Sequence, residues 1–343
     1  MNIPESDNSI SALIDKHHEN LVETPRLHMG CSQLGHPCDR WLWLSFRWAV
    51  QTKFPGRILR LFRRGQNEEA TIISDLLAIG CDVRKTSLST QHKLDFGSHV
   101  SGSLDAIIDK GVPEAPKAKH VAEFKTHNKK SFDALIKDGV EKSKPEHFTQ
   151  MQVYMHGTEI DRGLYVAICK DDDRIYTERI RYDKDMASKA IKRGQRLALA
   201  DRMPEPISTD PSWYQCKFCP AHEFCHKTKT TKHVNCRTCA HSTAKENSTW
   251  RCERYDADDI PVEYQHTGCE SHTLHPDLVP WQLKDGLDDW TAVYVIEGRD
   301  VANGEGDAHV FTSKELLSNP KACAYSDEFI QDVRKNMDGR ITS

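Results

Sequence analysis

No apolar run in this sequence approaches the ~20 residues needed to cross a bilayer. The opening MNIPESDNSISALIDKHHEN also lacks a basic segment followed by an apolar one, so no secretory signal is read there and the cytoplasm is the expected compartment. Excess positive charge is missing as well. The net charge of −4 and pI near 6.5 argue against non-specific coating of nucleic acid, although a local basic stripe can exist on an acidic protein. Repeats and low-complexity tracts are absent. With 343 residues, 38% hydrophobic and 29% charged, the chain has room for one large domain plus a smaller one, or for two to three small ones.

Cysteine is not scarce: there are 12. In a reducing compartment, clustered cysteine reads as metal binding before disulfides. Cys216, Cys219 and Cys225 form C-x2-C-x5-C. These supply three of the four ligands of a tetrahedral Zn²⁺ or an iron–sulfur cluster, and the fourth must come from elsewhere. Aromatic residues between them would shield a cluster from water, which favours iron–sulfur. Cys236, Cys239, Cys252 and Cys269 make a second, zinc-ribbon-like set with His272 in reserve. Cys81, Cys169 and Cys323 stand alone and read as buried or incidental.

The stretch 101–126 carries the chemistry. Residues 100–108 read at period two as one strand bearing Asp105 on an apolar run, and 120–126 as a second strand. In that second strand Glu123 and Lys125 share a face while Phe124 turns to the core. Pairing of the two strands would put Asp105 beside that face. Two carboxylates and an ammonium on one surface suit Mg²⁺ or Mn²⁺, whose preferred ligands are carboxylate oxygens, and a lysine that offsets charge on a phosphate.

Around this core, 1–29 reads as a peripheral arm with a short helix near 10–20. Pro37 would open a buried helix with Cys38 at its beginning. Lys53, Arg57, Arg60, Arg63 and Arg64 read equally as a phosphate-contacting patch or a solvated helix face. An amphipathic helix opens at Gly65, with Ile72, Ile73, Leu76 and Leu77 on its apolar side; Glu68 and Glu69 in its first turn serve the helix dipole or complete a metal site. Helices over 131–139, 146–157 and 186–200 and strands over 163–169 and 175–182 complete a mixed α/β core. Gln150 and Tyr154 share a helix face. The tail carries a hairpin from 292 that turns through 303–306, then a helix from Ser313.

Asp105, an interval of 17 residues, then Glu123-x-Lys125 resembles the signature of the PD-(D/E)xK nuclease superfamily. With the split cysteine set, the chain resembles its RecB-like, iron–sulfur branch, which includes the CRISPR-associated adaptation nuclease and phage-encoded exonucleases, over roughly residues 30–229. The resemblance implies a restriction-endonuclease-like fold: a mixed central sheet flanked by helices, with an iron–sulfur clamp and a small C-terminal zinc-binding region. Cys38, in CDRWLW, matches the cysteine that precedes the core and joins Cys216, Cys219 and Cys225 on a 4Fe–4S cluster; Cys31 is the fallback. The first acidic motif maps to Glu69 rather than Glu68. Asp105 matches the second, Glu123 and Lys125 the third, and Gln150 and Tyr154 the Q-x3-Y motif. Many relatives carry a histidine where this chain has Gln66, which weakens any histidine-assisted contact.

The implied activity is metal-dependent hydrolysis of DNA, most simply by an exonuclease at ends or in single strands. Glu69, Asp105, Glu123 and the Phe124 carbonyl would hold Mg²⁺ or Mn²⁺, Lys125 would position the attacking water, and Gln150 and Tyr154 would orient substrate or Lys125. The expected segments are 1–29, an arm; 30–229, the nuclease core; 230–280, the zinc region; and 281–343, an accessory region. A strand-annealing recombination protein is a partner suggested by phage relatives, with the host cytoplasm as the setting. The competing reading is a catalytically silent nucleic-acid-binding adaptor that uses the zinc region on a nuclease-like scaffold.

Overall fold

The computed structural model describes residues 9–21, 24–84, 92–285 and 290–342. It divides into two compact units. The first comprises residues 1–36 and 52–195, the second 37–51 and 196–343. This differs from the linear segments expected from sequence. The Cys38 helix and the segment 196–229 belong with the C-terminal region, because a short excursion of chain, 37–51, leaves the first unit and returns.

In chain order the elements are α1 (Ile10–Glu19), β1 (Met29–Gly30), α2 (Asp39–Phe46, in the second unit), α3 (Gly56–Ala78), β2 (Asp82–Arg84), β3 (Lys93–Asp95) and β4 (Val100–Ser103). There follow β5 (Ala106–Lys110), β6 (His120–His127), α4 (Lys129–Ser143), α5 (Pro145–Thr158), β7 (Arg162–Cys169), β8 (Ile175–Arg181) and α6 (Lys184–Ala198). The first unit holds a five-stranded sheet in the order β2-β5-β6-β7-β8. Only β6 and β7 pair in parallel, and the helices α4 and α5 make the crossover that parallel pairing requires. One face is a continuous apolar core of Val83, Ala106, Ile108, Ala122, Phe124, Leu164, Val166 and Ile168, against which the Ile72, Ile73 and Leu76 stripe of α3 packs. Mixed α/β architecture is therefore as expected, and Phe124 does turn to the core.

Two sequence readings need correction. The single strand over 100–108 is two strands in two sheets: β4 lies between β1 and β3, while β5 joins the five-stranded sheet. The chain changes sheet at Leu104–Asp105, where Leu104 is fully buried, so Asp105 stands at a corner rather than within a strand. The helix read as opening at Gly65 begins at Gly56. Glu68 and Glu69 are thus mid-helix, beyond the first turn in which the dipole acts, which removes that explanation for them.

The second unit contains α2, short turns α7 (Tyr214–Lys217) and α8 (Val262–Thr267), and the hairpin of β9 (Ser242–Ala244) with β10 (Trp250–Cys252). It also holds a four-stranded sheet of β11 (Gln282–Asp285), β12 (Ala292–Ile296), β13 (Arg299–Asn303) and β14 (Val310–Phe311), followed by α9 (Ser313–Ser318), α10 (Pro320–Ala324) and α11 (Glu328–Met337). The tail hairpin turns at Glu297–Gly298 rather than at 303–306. Both residues have positive φ, 50° and 76°, as a tight two-residue hairpin turn demands. At the heart of this unit Arg237 lies over Trp48 (3.8 Å to the ring centre), Trp250 (5.0 Å) and Phe46 (5.2 Å), a fully buried cation held by aromatic faces.

Candidate active site

β6 pairs with β5 over residues 120–122 and with β7 over 121–127, so alternate side chains are held at fixed spacing on its second face: Glu123, Lys125 and His127. Glu123 is fully buried and Lys125 is 27% exposed. Lys125 Nζ donates to Glu123 Oε1 and to the Phe124 carbonyl (3.2 Å), and lies 4.0 Å from Asp105 Oδ2. That same Asp105 oxygen accepts the Phe124 N–H at 2.8 Å, which anchors the corner to the middle of β6. The pairing expected from sequence, Asp105 beside Glu123 and Lys125, is present.

Burial and the charge of Asp105 push the Glu69 carboxyl up to about 7, with Lys125 opposing. Burial, then Asp105, likewise raises Glu123, although Lys125 donates to it. Burial would pull Lys125 down, but Glu123 and Asp105 hold it above its usual value, so it remains an ammonium. The two partners' shifts oppose each other. The lysine is the firmer member, since a single ammonium faces three carboxyls and cannot neutralise them all. Glu123 Oε2 is buried with no hydrogen-bond partner, an arrangement that costs stability unless something positive fills it. Oxygen ligands, excess negative charge and an orphaned carboxylate oxygen suit a hard divalent cation.

Gln150 and Tyr154 lie on α5, buried, and form a chain: Gln150 Nε2 donates to Tyr154 Oη (3.1 Å), which donates to the Ser103 carbonyl (2.8 Å). They hold the backbone two residues before Asp105, rather than Lys125. Gly102 permits this, because a Cβ there would meet the Tyr154 ring at 3.1 Å and Cys31 Sγ at 2.8 Å. Cys31 is therefore packed against Gly102 beside this site in the first unit. Of the basic residues of α3, Arg60 pairs with Asp15, Arg63 meets His18 Nε2 at 3.4 Å and Arg64 donates to the Lys170 carbonyl at 3.1 Å. The bland reading of that patch gains by these contacts.

Sequence reasoning missed three residues on the same surface. His127 Nε2 and His147 Nδ1 both meet the Tyr165 hydroxyl, at 2.9 and 2.8 Å. The signal for His127 was present, as the next same-face residue after Glu123 and Lys125. So was that for His147, three before Gln150 and seven before Tyr154 on one helix face. Tyr165 pairs with Glu123 across β6 and β7, a register invisible in sequence.

In the second unit, burial raises the Cys216, Cys219 and Cys225 thiols, and the charge of Cys38 raises each further. Cys38 belongs to the same unit as these three thiols. Burial pushes Cys236 and Cys239 up to about 12, with Cys269 and Cys252 adding to both. Nonetheless, among the described residues no group of three or more His, Cys, Asp or Glu is arranged closely enough to hold a metal ion. His272 is engaged elsewhere: Nδ1 meets Ser313 Oγ at 2.8 Å and Nε2 the Asn235 carbonyl at 3.1 Å. Cys81, Cys169 and Cys323 are buried, as expected.

No protein-family profile matches the chain, and neither does any curated protein sequence. Solved structures give distant likenesses. SSO0001 is 16% identical, with 64% of this chain and 98% of that one covered and a TM-score of 0.40. An alkaline exonuclease from Laribacter hongkongensis, in complex with dAMP, is 17% identical (50% and 86% covered, TM-score 0.37). A phage-related exonuclease from Haemophilus somnus is 19% identical (52% and 94% covered, TM-score 0.35). At that distance they assign no chemistry to this chain. Among the described residues no helix is long and apolar enough to cross a membrane.

Proposed function

We propose that this protein is a metal-dependent phosphodiesterase of the PD-(D/E)xK type that hydrolyses DNA, as an exonuclease at ends or in single strands. The observation that carries the reading is the buried Glu123, whose Oε2 has no partner while Lys125 and Asp105 stand beside it. Glu69, Asp105, Glu123 and the Phe124 carbonyl would hold Mg²⁺ or Mn²⁺. When bound, the ion supplies Lewis-acid polarisation of the phosphate and a more acidic water.

The chain's own residues do the rest. Asp105, fixed to the Phe124 N–H, presents its carboxylate without needing to reorganise. Lys125 is an ammonium, so it cannot take the proton of the attacking water; it orients that water and offsets charge growing on the phosphoryl oxygens. Tyr154 and Gln150 position the Asp105 corner through Ser103.

Within the same reading, Cys38, Cys216, Cys219 and Cys225 hold a 4Fe–4S cluster, and Cys236, Cys239, Cys252 and Cys269 hold Zn²⁺. Cys38 adds to the raised thiols of Cys216, Cys219 and Cys225, Cys252 and Cys269 add to those of Cys236 and Cys239, and both groups would be mainly structural. A strand-annealing recombination protein is the partner this reading suggests, in the cytoplasm of a host cell.

The test uses anaerobically purified protein beside Lys125→Ala and Glu123→Ala, with end-labelled linear and circular DNA and Mn²⁺, Mg²⁺ or EDTA. Metal-dependent loss of linear DNA by the wild type alone is expected. Equal cutting of circles would replace exonuclease with endonuclease. No cleavage by intact protein would sink catalysis and favour the adaptor reading.

A further inference from the structure

Beside the carboxylates lies a polar chain that the hydrolytic machinery does not use: Ser131, His127, Tyr165 and His147. His127 Nδ1 meets Ser131 Oγ at 3.2 Å, His127 Nε2 meets the Tyr165 hydroxyl at 2.9 Å, and that hydroxyl meets His147 Nδ1 at 2.8 Å. The two imidazoles are also stacked, with centres 5.8 Å apart. Tyr165 is fully buried and His127 nearly so, while His147 at the end of the chain is half-buried. Its second nitrogen, Nε2, makes no hydrogen bond to a described residue.

Cations face the two imidazoles, whereas the carboxylates of Glu123 and Glu178 face the buried Tyr165 between them. Burial lowers His127 to about 4 and His147 to about 3, and the cations that add to the effect are Lys144, Lys125 and Lys170 for His127 and Lys125 and Lys144 for His147. Lys144 donates to the Ser131 and Ser143 carbonyls, both at 3.2 Å, and makes no ion pair with a described carboxylate. The carboxylates of the neighbouring turn and strand are engaged elsewhere: Asp171 accepts the Lys129 N–H, Asp172 and Asp133 hold Arg174, and Glu178 accepts from Tyr176 and the Val140 N–H. Lys125 is matched by Glu123 and Asp105, which leaves Lys144 as the cation beside the neutral imidazoles that an anion could meet.

The hydrogen-bond chain has two proton polarities. With the Tyr165 O–H donating to His127, His147 must donate Nδ1–H to the tyrosine and keeps a lone pair on Nε2. With the Tyr165 O–H donating to His147 Nδ1, His147 carries its proton on Nε2, while His127 donates to Tyr165 and accepts from Ser131. The second polarity is the one an oxyanion would select. His127 lies two residues beyond Lys125 on one strand face, about 7 Å away, a step comparable to that between neighbouring phosphates of a nucleic-acid strand.

We propose that His147, oriented by Tyr165 and His127 and supported by Lys144, receives a backbone phosphate of the nucleic-acid strand adjacent to the one hydrolysed. This rests on the nuclease reading for its biological meaning. The binding itself does not require catalysis. Tyr165 and His127 are positioning residues, since they act through His147.

The experiment measures fluorescence anisotropy of short single-stranded oligonucleotides in EDTA, where no cleavage occurs. Each oligonucleotide carries one neutral methylphosphonate at a defined position. Wild type is compared with His147→Gln, His147→Ala and Lys144→Met. One methylphosphonate position is expected to weaken wild-type binding by about tenfold, the worth of a charge-assisted hydrogen bond, and to weaken His147→Ala by much less. Equal loss in wild type and all three variants would overturn the proposal, as would variants that bind like wild type. Circular dichroism of each variant separates misfolding from loss of contact, and His147→Gln, which keeps a donor at similar reach, should retain part of the effect. Failure of cleavage in the nuclease assay would leave this binding result standing, so the two readings fail separately.

Discussion

The carboxylate site of the first unit and the thiol sets of the second are built on different foundations. Glu123 and Lys125 stand on a strand paired with β7 throughout and with β5 just before them, and Asp105 is tied to its other edge by the Phe124 N–H. Removing any ligand would leave the scaffold in place. The thiols instead sit on short turns: Cys216 in the four-residue α7, Cys225 in a five-residue turn of π-helix, Cys236 in a three-residue 3₁₀ turn. Such turns have few internal hydrogen bonds of their own. A site made of sheet is pre-organised for chemistry, whereas a site made of turns exchanges binding energy for folding energy.

The largest contrast should come from ligand substitution. Glu123→Gln is expected to lower cleavage by at least about 100-fold, with melting in EDTA unchanged or raised, because a buried carboxyl repelled by Asp105 is neutralised. A lower melting temperature in EDTA would deny that Glu123 is under electrostatic stress. Cys216→Ala should do the reverse on stability, costing several kcal/mol with loss of bound iron, since a structural metal site contributes its binding energy to the fold. Unchanged melting and metal content would remove the cluster from the second unit.

A middle-sized effect is expected from Tyr154→Phe. It removes the bond to the Ser103 carbonyl and should cost about 1 kcal/mol in stability, with a larger loss in turnover than in substrate binding. Equal loss in both would mean that the tyrosine touches substrate.

The smallest effect is on pH. Glu69 is raised from its usual value of 4.5 to about 7, so its contribution to metal-free stability is full below pH 4.5 and is lost as pH rises through about 7. A divalent cation needs the ionised form, so the Mg²⁺-induced rise in melting temperature should grow from pH 5.5 to 8 and flatten above that range. In Glu69→Gln the growth should be reduced. A cation effect independent of pH in the wild type would remove Glu69 from the site.

Much of this was legible in residue order. Strands report themselves by period two, which identified Glu123 and Lys125 as same-face neighbours and Phe124 as core, and Gln150 with Tyr154 by helical spacing. The corner at Leu104–Asp105 was not legible, because an apolar run continues across it and the change of sheet depends on which neighbours each half finds. The start of α3 was misplaced because Gly65 looks like a boundary, yet within a 23-residue helix one glycine costs only about 1 kcal/mol against alanine.

The sequence by itself determined the side-chain chemistry: three carboxyls and a lysine at strand and helix spacings, and cysteines in two sets. Local spacing suffices for that, because it constrains residues a few positions apart. Only the tertiary structure decided which distant groups meet. The register of β6 on β7 placed Tyr165 opposite Glu123 and joined His127 to His147. The excursion of 37–51 put Cys38 in the same unit as Cys216, Cys219 and Cys225. Pairing across long loops is set by burial and hydrogen bonding of the whole sheet, and no segment carries that information alone.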